Sequence, residues 1–99
     1  MAVQTQRFSR PQAAREIEAR SRAKEMKVRV EVVEPGQAYF TRSQSHPGTV
    51  YHITRERAGW HCECAGFIYT GCCKHLGQVE RRSEREGWAF GRIAPRSVA

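Results

Sequence analysis

The stretch Cys62-Glu63-Cys64-Ala65-Gly66-Phe67-Ile68-Tyr69-Thr70-Gly71-Cys72-Cys73-Lys74-His75-Leu76 decides how this chain folds. It holds all four cysteines of the chain and one of its four histidines. In a strand, residues i and i+2 share a face, so Cys62 and Cys64 aim both sulfurs to one side. The second pair opens a run of helix-forming residues, and a helix N-terminus favours thiolate through its dipole and free amides. Residues two apart within a helix point about 200° apart. Cys73 therefore belongs just ahead of the helix, with His75 in its first turn. Cys72 and His75 are three apart and would share a face inside a regular helix, so spacing alone leaves Cys72 as a rival third ligand. The other reading of Cys72 is a small buried apolar residue in line with Leu76 and Val79. With either sulfur the set is three thiols and an imidazole, a standard closed shell for structural zinc.

The rest of the composition explains why such a chain needs a staple. Its 99 residues make one domain with little left over. Leu, Ile, Val and Phe together number 17, and the formal charge is +7. A chain below about 20% in those four residues with high net charge sits at the border of disorder. A core this small supplies only about 3–5 kcal/mol, so a cross-link or a metal is expected. The first ten residues carry no apolar run of signal-peptide type, and no stretch is long enough to span a membrane. The expected compartment is the cytoplasm, where thiols stay reduced and clustered Cys with His points to metal.

Working outward from the motif, the elements read as follows. Ser9 and Gln12 have capping-box spacing, Phe8 and Ala13 can form a hydrophobic staple, and Pro11 suits a first helical turn. A helix is expected from there to Met26, with a thin apolar stripe of Ala13 or Ala14, Ile17 and Ser21. Glu16–Arg20, Glu18–Arg22 and Glu25–Arg29 have the favourable i,i+4 order. Val28, Val30 and Val32 alternate with Arg29 and Glu31 as in a half-buried strand. Glu34-Pro35-Gly36-Gln37 is a turn, followed by a strand over 38–42 and a polar loop over 43–48. A third strand is expected over 49–55, a turn at Arg57-Ala58-Gly59, and a fourth strand over 60–64. Gly66 and Gly71 bracket a loop, and the second helix runs from about Cys73 to Glu86, where Gly87 stops it. Trp88, Phe90 and Ile93 follow and can pack back. The fold class is α+β: an N-terminal helix, antiparallel β-hairpins and a ββα zinc finger with a C-terminal helix. The organisation is a basic helix with its start (1–26), a hairpin and loop (27–48), the finger (49–87) and a tail (88–99).

The pattern Cys62-x-Cys64, with Phe67 and Gly71 in the gap, then Cys73-Lys74-His75-Leu76, resembles the SWIM zinc finger, CxC followed by CxH. The resemblance covers about Thr49 to Val79 and selects Cys73 over Cys72 as the third ligand. It implies one structural Zn²⁺ held by Cys62, Cys64, Cys73 and His75 in a compact ββα unit. It also implies DNA binding or protein–protein contact.

Function is argued from the site. A catalytic zinc keeps an open position and a nearby carboxylate base. Here four protein ligands are on offer, and Glu63 falls on the opposite face of its strand from the two sulfurs, so no enzyme activity is expected. The basic excess is compatible with nucleic acid, with Arg55, Arg57 and Lys74 as phosphate contacts and Tyr51, Trp60 and Tyr69 as aromatic rings on which bases can stack. The alternative is a protein-interaction adaptor that uses the finger as a scaffold, with Trp88 and Phe90 as an apolar patch.

Overall fold

The computed structural model describes residues 12–95. Helix α1 (Gln12–Glu25) is followed by strands β1 (Glu31–Glu34), β2 (Ala38–Arg42), β3 (Val50–Glu56) and β4 (Gly59–Cys62), then helices α2 (Ala65–Thr70) and α3 (Lys74–Glu86). The strands form one antiparallel sheet in the order β1-β2-β3-β4, so the fold is α+β. The expected capping residues Phe8, Ser9 and Pro11 lie outside the described residues.

Each strand junction follows from local chemistry. Pro35 and Gly36 form a tight turn in which Gln37 N–H donates to the Glu34 carbonyl at 2.9 Å, and Gly36 takes φ +74°. Along β4 the inner face carries Trp60 and Cys62, both fully buried, while His61 points to the other side. Ile53 lies opposite Cys62, and Tyr39 opposite Ile53, so one row of the sheet's inner face runs Tyr39–Ile53–Cys62. Leu76 and Val79 of α3 complete this core at 0% exposure.

The segment after α3 closes the sheet's β4 border. Gly87 ends the helix in the left-handed conformation, and its N–H donates to the Ser83 carbonyl. The chain then returns along β4: Trp60 N–H donates to the Arg92 carbonyl at 2.9 Å, and Ala94 N–H to the Trp60 carbonyl at 2.8 Å. This close approach requires Gly59, because a Cβ there would stand 2.6 Å from the Arg92 carbonyl oxygen. Trp60 Nε1–H donates to the Phe90 carbonyl, and the two rings stack 5.5 Å apart. Trp88 lies over Tyr39.

Three expectations are corrected. The buried face of α1 is Ala19 and Ala23, both at 0%, while Ile17 is 66% exposed. The reason is tertiary: α1 crosses α3 so closely that a Cβ on Gly77 would sit 2.6 Å from the Ala19 backbone, leaving room only for small residues. Arg20 correspondingly reaches across to Glu84 at 2.6 Å. Second, β1 starts at Glu31 rather than in the Val28–Val30 stretch. Those two valines are buried before the strand, while all four residues of β1 are exposed. Third, the segment between Gly66 and Gly71 is helix α2, not a loop, ended by Gly71 at φ +80°.

Helix α1 ends in a Schellman motif with an unusual occupant. Val28 N–H donates to the Ala23 carbonyl and Lys27 N–H to that of Lys24, with buried Val28 and Ala23 as the accompanying apolar pair. The left-handed position, usually glycine, is Lys27 at φ +52°.

Candidate metal centre

Two helix starts and the end of one strand meet at a single point. Cys62 closes β4, Cys64 is the N-cap of α2, and Cys73 is the N-cap of α3 with His75 in the first turn. Both N-cap residues have extended backbone, which lets each side chain turn back beneath the helix it precedes. The partial positive charge of the helix ends favours thiolate at both positions. Reading the sequence shows this at Cys73. At Cys64 it emerges only once α2 is recognised as a helix.

The ligand atoms of Cys62, Cys64, Cys73 and His75 all lie within 4.8 Å of one another, and all four residues are buried. They are positioned to hold a metal ion. Cys62 Sγ stands 3.8 Å from His75 Nδ1. A tetrahedral ion with sulfur at about 2.3 Å and nitrogen at about 2.0 Å would place such a pair roughly 3.5 Å apart. The donor set suits a tetrahedral ion in its chemistry, and this pair is close to the spacing one requires.

The electrostatics of the cluster point the same way. Hydrogen bonds from Cys62 and then Cys73 hold the Cys64 thiol far below its ordinary range. The same partnership pushes Cys62 up to about 12, with Cys64 as the largest cause. Cys73 is raised most, first by Cys62, then by Cys64, then by burial. Within the cluster the shared hydrogen bonds, ahead of burial, favour the thiolate at Cys64 and the neutral thiol at Cys62 and Cys73. A divalent cation among them would favour the thiolate form of all three.

Cys72 is not part of the cluster. It is buried facing α1, beside Arg15, Glu18 and Arg22, and burial pushes its thiol up to about 11. All four cysteines are free thiols. Of the other histidines, His52 pairs with Glu63 Oε1 at 3.1 Å, His61 packs edge-on to Phe67, and His46 meets Ser45. Glu63 also accepts from the His52 backbone N–H, which lowers its carboxyl below the usual range. It stays exposed, on the side of β4 away from the sulfurs.

The basic residues expected near the metal separate. Arg55 lies over the Trp60 ring at 5.7 Å and against Gly91, a structural position. Arg57 is exposed at the β3–β4 turn, past the end of a strand that runs about 10 Å beyond the level of Cys62. Lys74 adjoins the cluster at the start of α3, its Nζ 3.6 Å from Met26 Sδ. The structure does not bring Arg55 and Arg57 to Lys74. Among the aromatics, Trp60 is core, Tyr51 is half-buried beside His75, and Tyr69 is 74% exposed. Phe90 is buried and Trp88 half-buried, so they form part of the core rather than an apolar surface patch. Among the described residues no helix is long and apolar enough to cross a membrane. Compared with known proteins, the chain matches no family model, no curated protein and no solved structure.

Proposed function

We propose that this chain is a SWIM-type finger whose one Zn²⁺ is structural, and that the braced surface binds nucleic acid. The observation that carries the reading is the convergence of Cys62, Cys64, Cys73 and His75 within 4.8 Å, buried and drawn from three separate elements. Soft thiolates with an imidazole in tetrahedral spacing suit Zn²⁺. Four protein donors fill its shell and leave no position for substrate or activated water, so the ion acts as a brace and no reaction is assigned. The CxC and CxH spacing supports the SWIM assignment, and reduced cysteines suit a cytoplasmic protein. The excess of 17 Lys and Arg over 10 acidic residues supports the choice of nucleic acid.

The test is metal analysis of the purified chain and five variants. One zinc per chain is expected. Cys62→Ser, Cys64→Ser, Cys73→Ser and His75→Ala lose it or hold it far more weakly, and Cys72→Ser keeps it. Zinc lost from the Cys72 variant and kept by the Cys73 variant would overturn the ligand set.

A further inference from the structure

Some cations are held by partners, while others, Arg57, Arg85 and Arg92 among them, have no carboxylate partner among the described residues; three of the latter lie together. Along α3, Arg20 is bound by Glu84 and Glu80, Arg82 by Glu86 and the Val30 carbonyl, and Arg81 by Gln78. At the other end, Lys27, Arg29 and Arg42 are exposed and have no carboxylate partner among the described residues; Arg42 leans over Phe40 at 6.0 Å. These three unpaired cations line one groove of about 370 Å³, with a single carboxylate, Glu31, among its lining residues.

A second groove of about 370 Å³ lies on the other side of Ser43 and Gln44, which line both. Its character differs. Met26, Tyr51, Ala65 and Gly66 contribute apolar surface, Arg22 and Lys74 supply charge, and Cys64, Cys73 and His75 of the metal centre form part of its wall. Gln44 is fixed as part of the shared wall by donating from Nε2 to the Met26 carbonyl at 3.0 Å. Lys27, which occupies the left-handed position where glycine is usual, also lines the cationic groove.

We propose that the two grooves together hold a single strand of nucleic acid, with a base against Tyr51 and Met26 and the neighbouring phosphates on Lys27, Arg29 and Arg42. This rests on the nucleic-acid reading above and assigns it a surface other than the β3–β4 turn. An apolar, aromatic-walled groove takes a base only when that base is unstacked, as in a single strand, and stacking tolerates any sequence. Cations without intramolecular partners neutralise phosphate without first breaking an ion pair, and they make binding salt-dependent.

The experiment is a fluorescence titration of the full chain with oligothymidine of about twelve nucleotides, with the same strand made abasic, and with duplex DNA. The variants are Arg29→Glu with Arg42→Glu, Tyr51→Leu, and Arg57→Glu as the control, each checked for metal content and amide dispersion. The double charge reversal is expected to weaken single-strand binding tenfold or more. It should lower the slope of log K against log salt by about 1.4, about 0.7 per contact. Tyr51→Leu should weaken binding to the thymidine strand about fivefold or more, and leave the abasic strand unchanged. Arg57→Glu should bind within about twofold of wild type, because its position lies outside both grooves. If the double variant binds as wild type does while Arg57→Glu fails, nucleic-acid binding stands and the surface assignment falls. Equal loss by Tyr51→Leu on both strands, or preference for duplex, overturns the base groove. Absence of binding to every nucleic acid by wild type would overturn the parent reading and leave the adaptor.

Discussion

Trp60 and Cys62 stand two residues apart on one strand, both fully buried, yet they belong to differently held halves of the core. Around Trp60 the fixings are rings: Tyr39, Trp88 and Phe90 lie within 6.4 Å of one another or of the indole, centroid to centroid. Around Cys62 the neighbours are polar donors, Cys64, Cys73 and His75, drawn together at the junction of two helix starts. The ring half gains from burying apolar surface, and each side chain contributes separately. The thiol half gains little that way, because three sulfurs and an imidazole at close range repel or compete for protons. What it gains from a metal is shared by all four ligands at once. The difference teaches that one small core can be part graded and part all-or-none.

The largest effect should come from the thiol half. Structural zinc contributes about 10–16 kcal/mol of apparent binding energy in small fingers, comparable with or above the whole net stability of a domain. Chelation should collapse amide dispersion across β3, β4, α2 and α3, and acid should act likewise, because protons compete for the ligand sulfurs. Dispersion that survives complete metal removal would break the comparison, since the ring half would then suffice alone.

Trp60→Ala should cost about 3–5 kcal/mol, the usual range for a large buried aromatic. Denaturant unfolding of the metal-loaded protein measures it. The folded variant should still bind one metal per chain, and loss of metal at low denaturant would show that the halves are not separable. Gly77→Val should cost about 1–3 kcal/mol by overpacking the α1–α3 crossing. Amide exchange should speed up in α1 before it does in β4, and uniform acceleration would argue against a local effect. Glu84→Gln, which weakens the ion pair with Arg20, should cost at most about 1 kcal/mol and less in high salt.

These expectations also mark what could be read from the chain beforehand. The thiol half was legible in its close Cys-x-Cys and Cys-x-His spacing, but the choice of Cys73 over Cys72 came from the resemblance, and Cys64 caps α2 instead of extending β4. The Pro35-Gly36 turn, β2 and the stop at Gly87 were legible as backbone rules confined to a few residues. Long-range packing was not. Ile17 is the largest apolar residue of α1, yet it faces solvent, because the crossing at Gly77 admits only Ala19 and Ala23. Nothing within the helix announces that. Arg55 likewise looks like a free cation until the returning chain brings Gly91 against it and the sheet places Trp60 opposite. Helix α2 was hidden by Gly66 and Gly71, which suggest a loop until the first is seen inside its first turn and the second as its cap.

The sheet has two borders, and they are finished in opposite ways. Residues 92–94 run along the β4 border and occupy Trp60's outward amide and carbonyl. Among the described residues no strand pairs with the β1 border, Glu31-Val32-Val33-Glu34, where two exposed valines stand between two exposed acids. A bare border of this kind is the ordinary starting point for strand-by-strand aggregation. A second copy docking there by symmetric antiparallel pairing would match Val32 with Val33 but set Glu31 against Glu34 at each end. Like charges placed directly opposite are destabilising. The short acidic strand therefore discourages the chain from polymerising with its own kind, at an edge that the described residues leave uncovered.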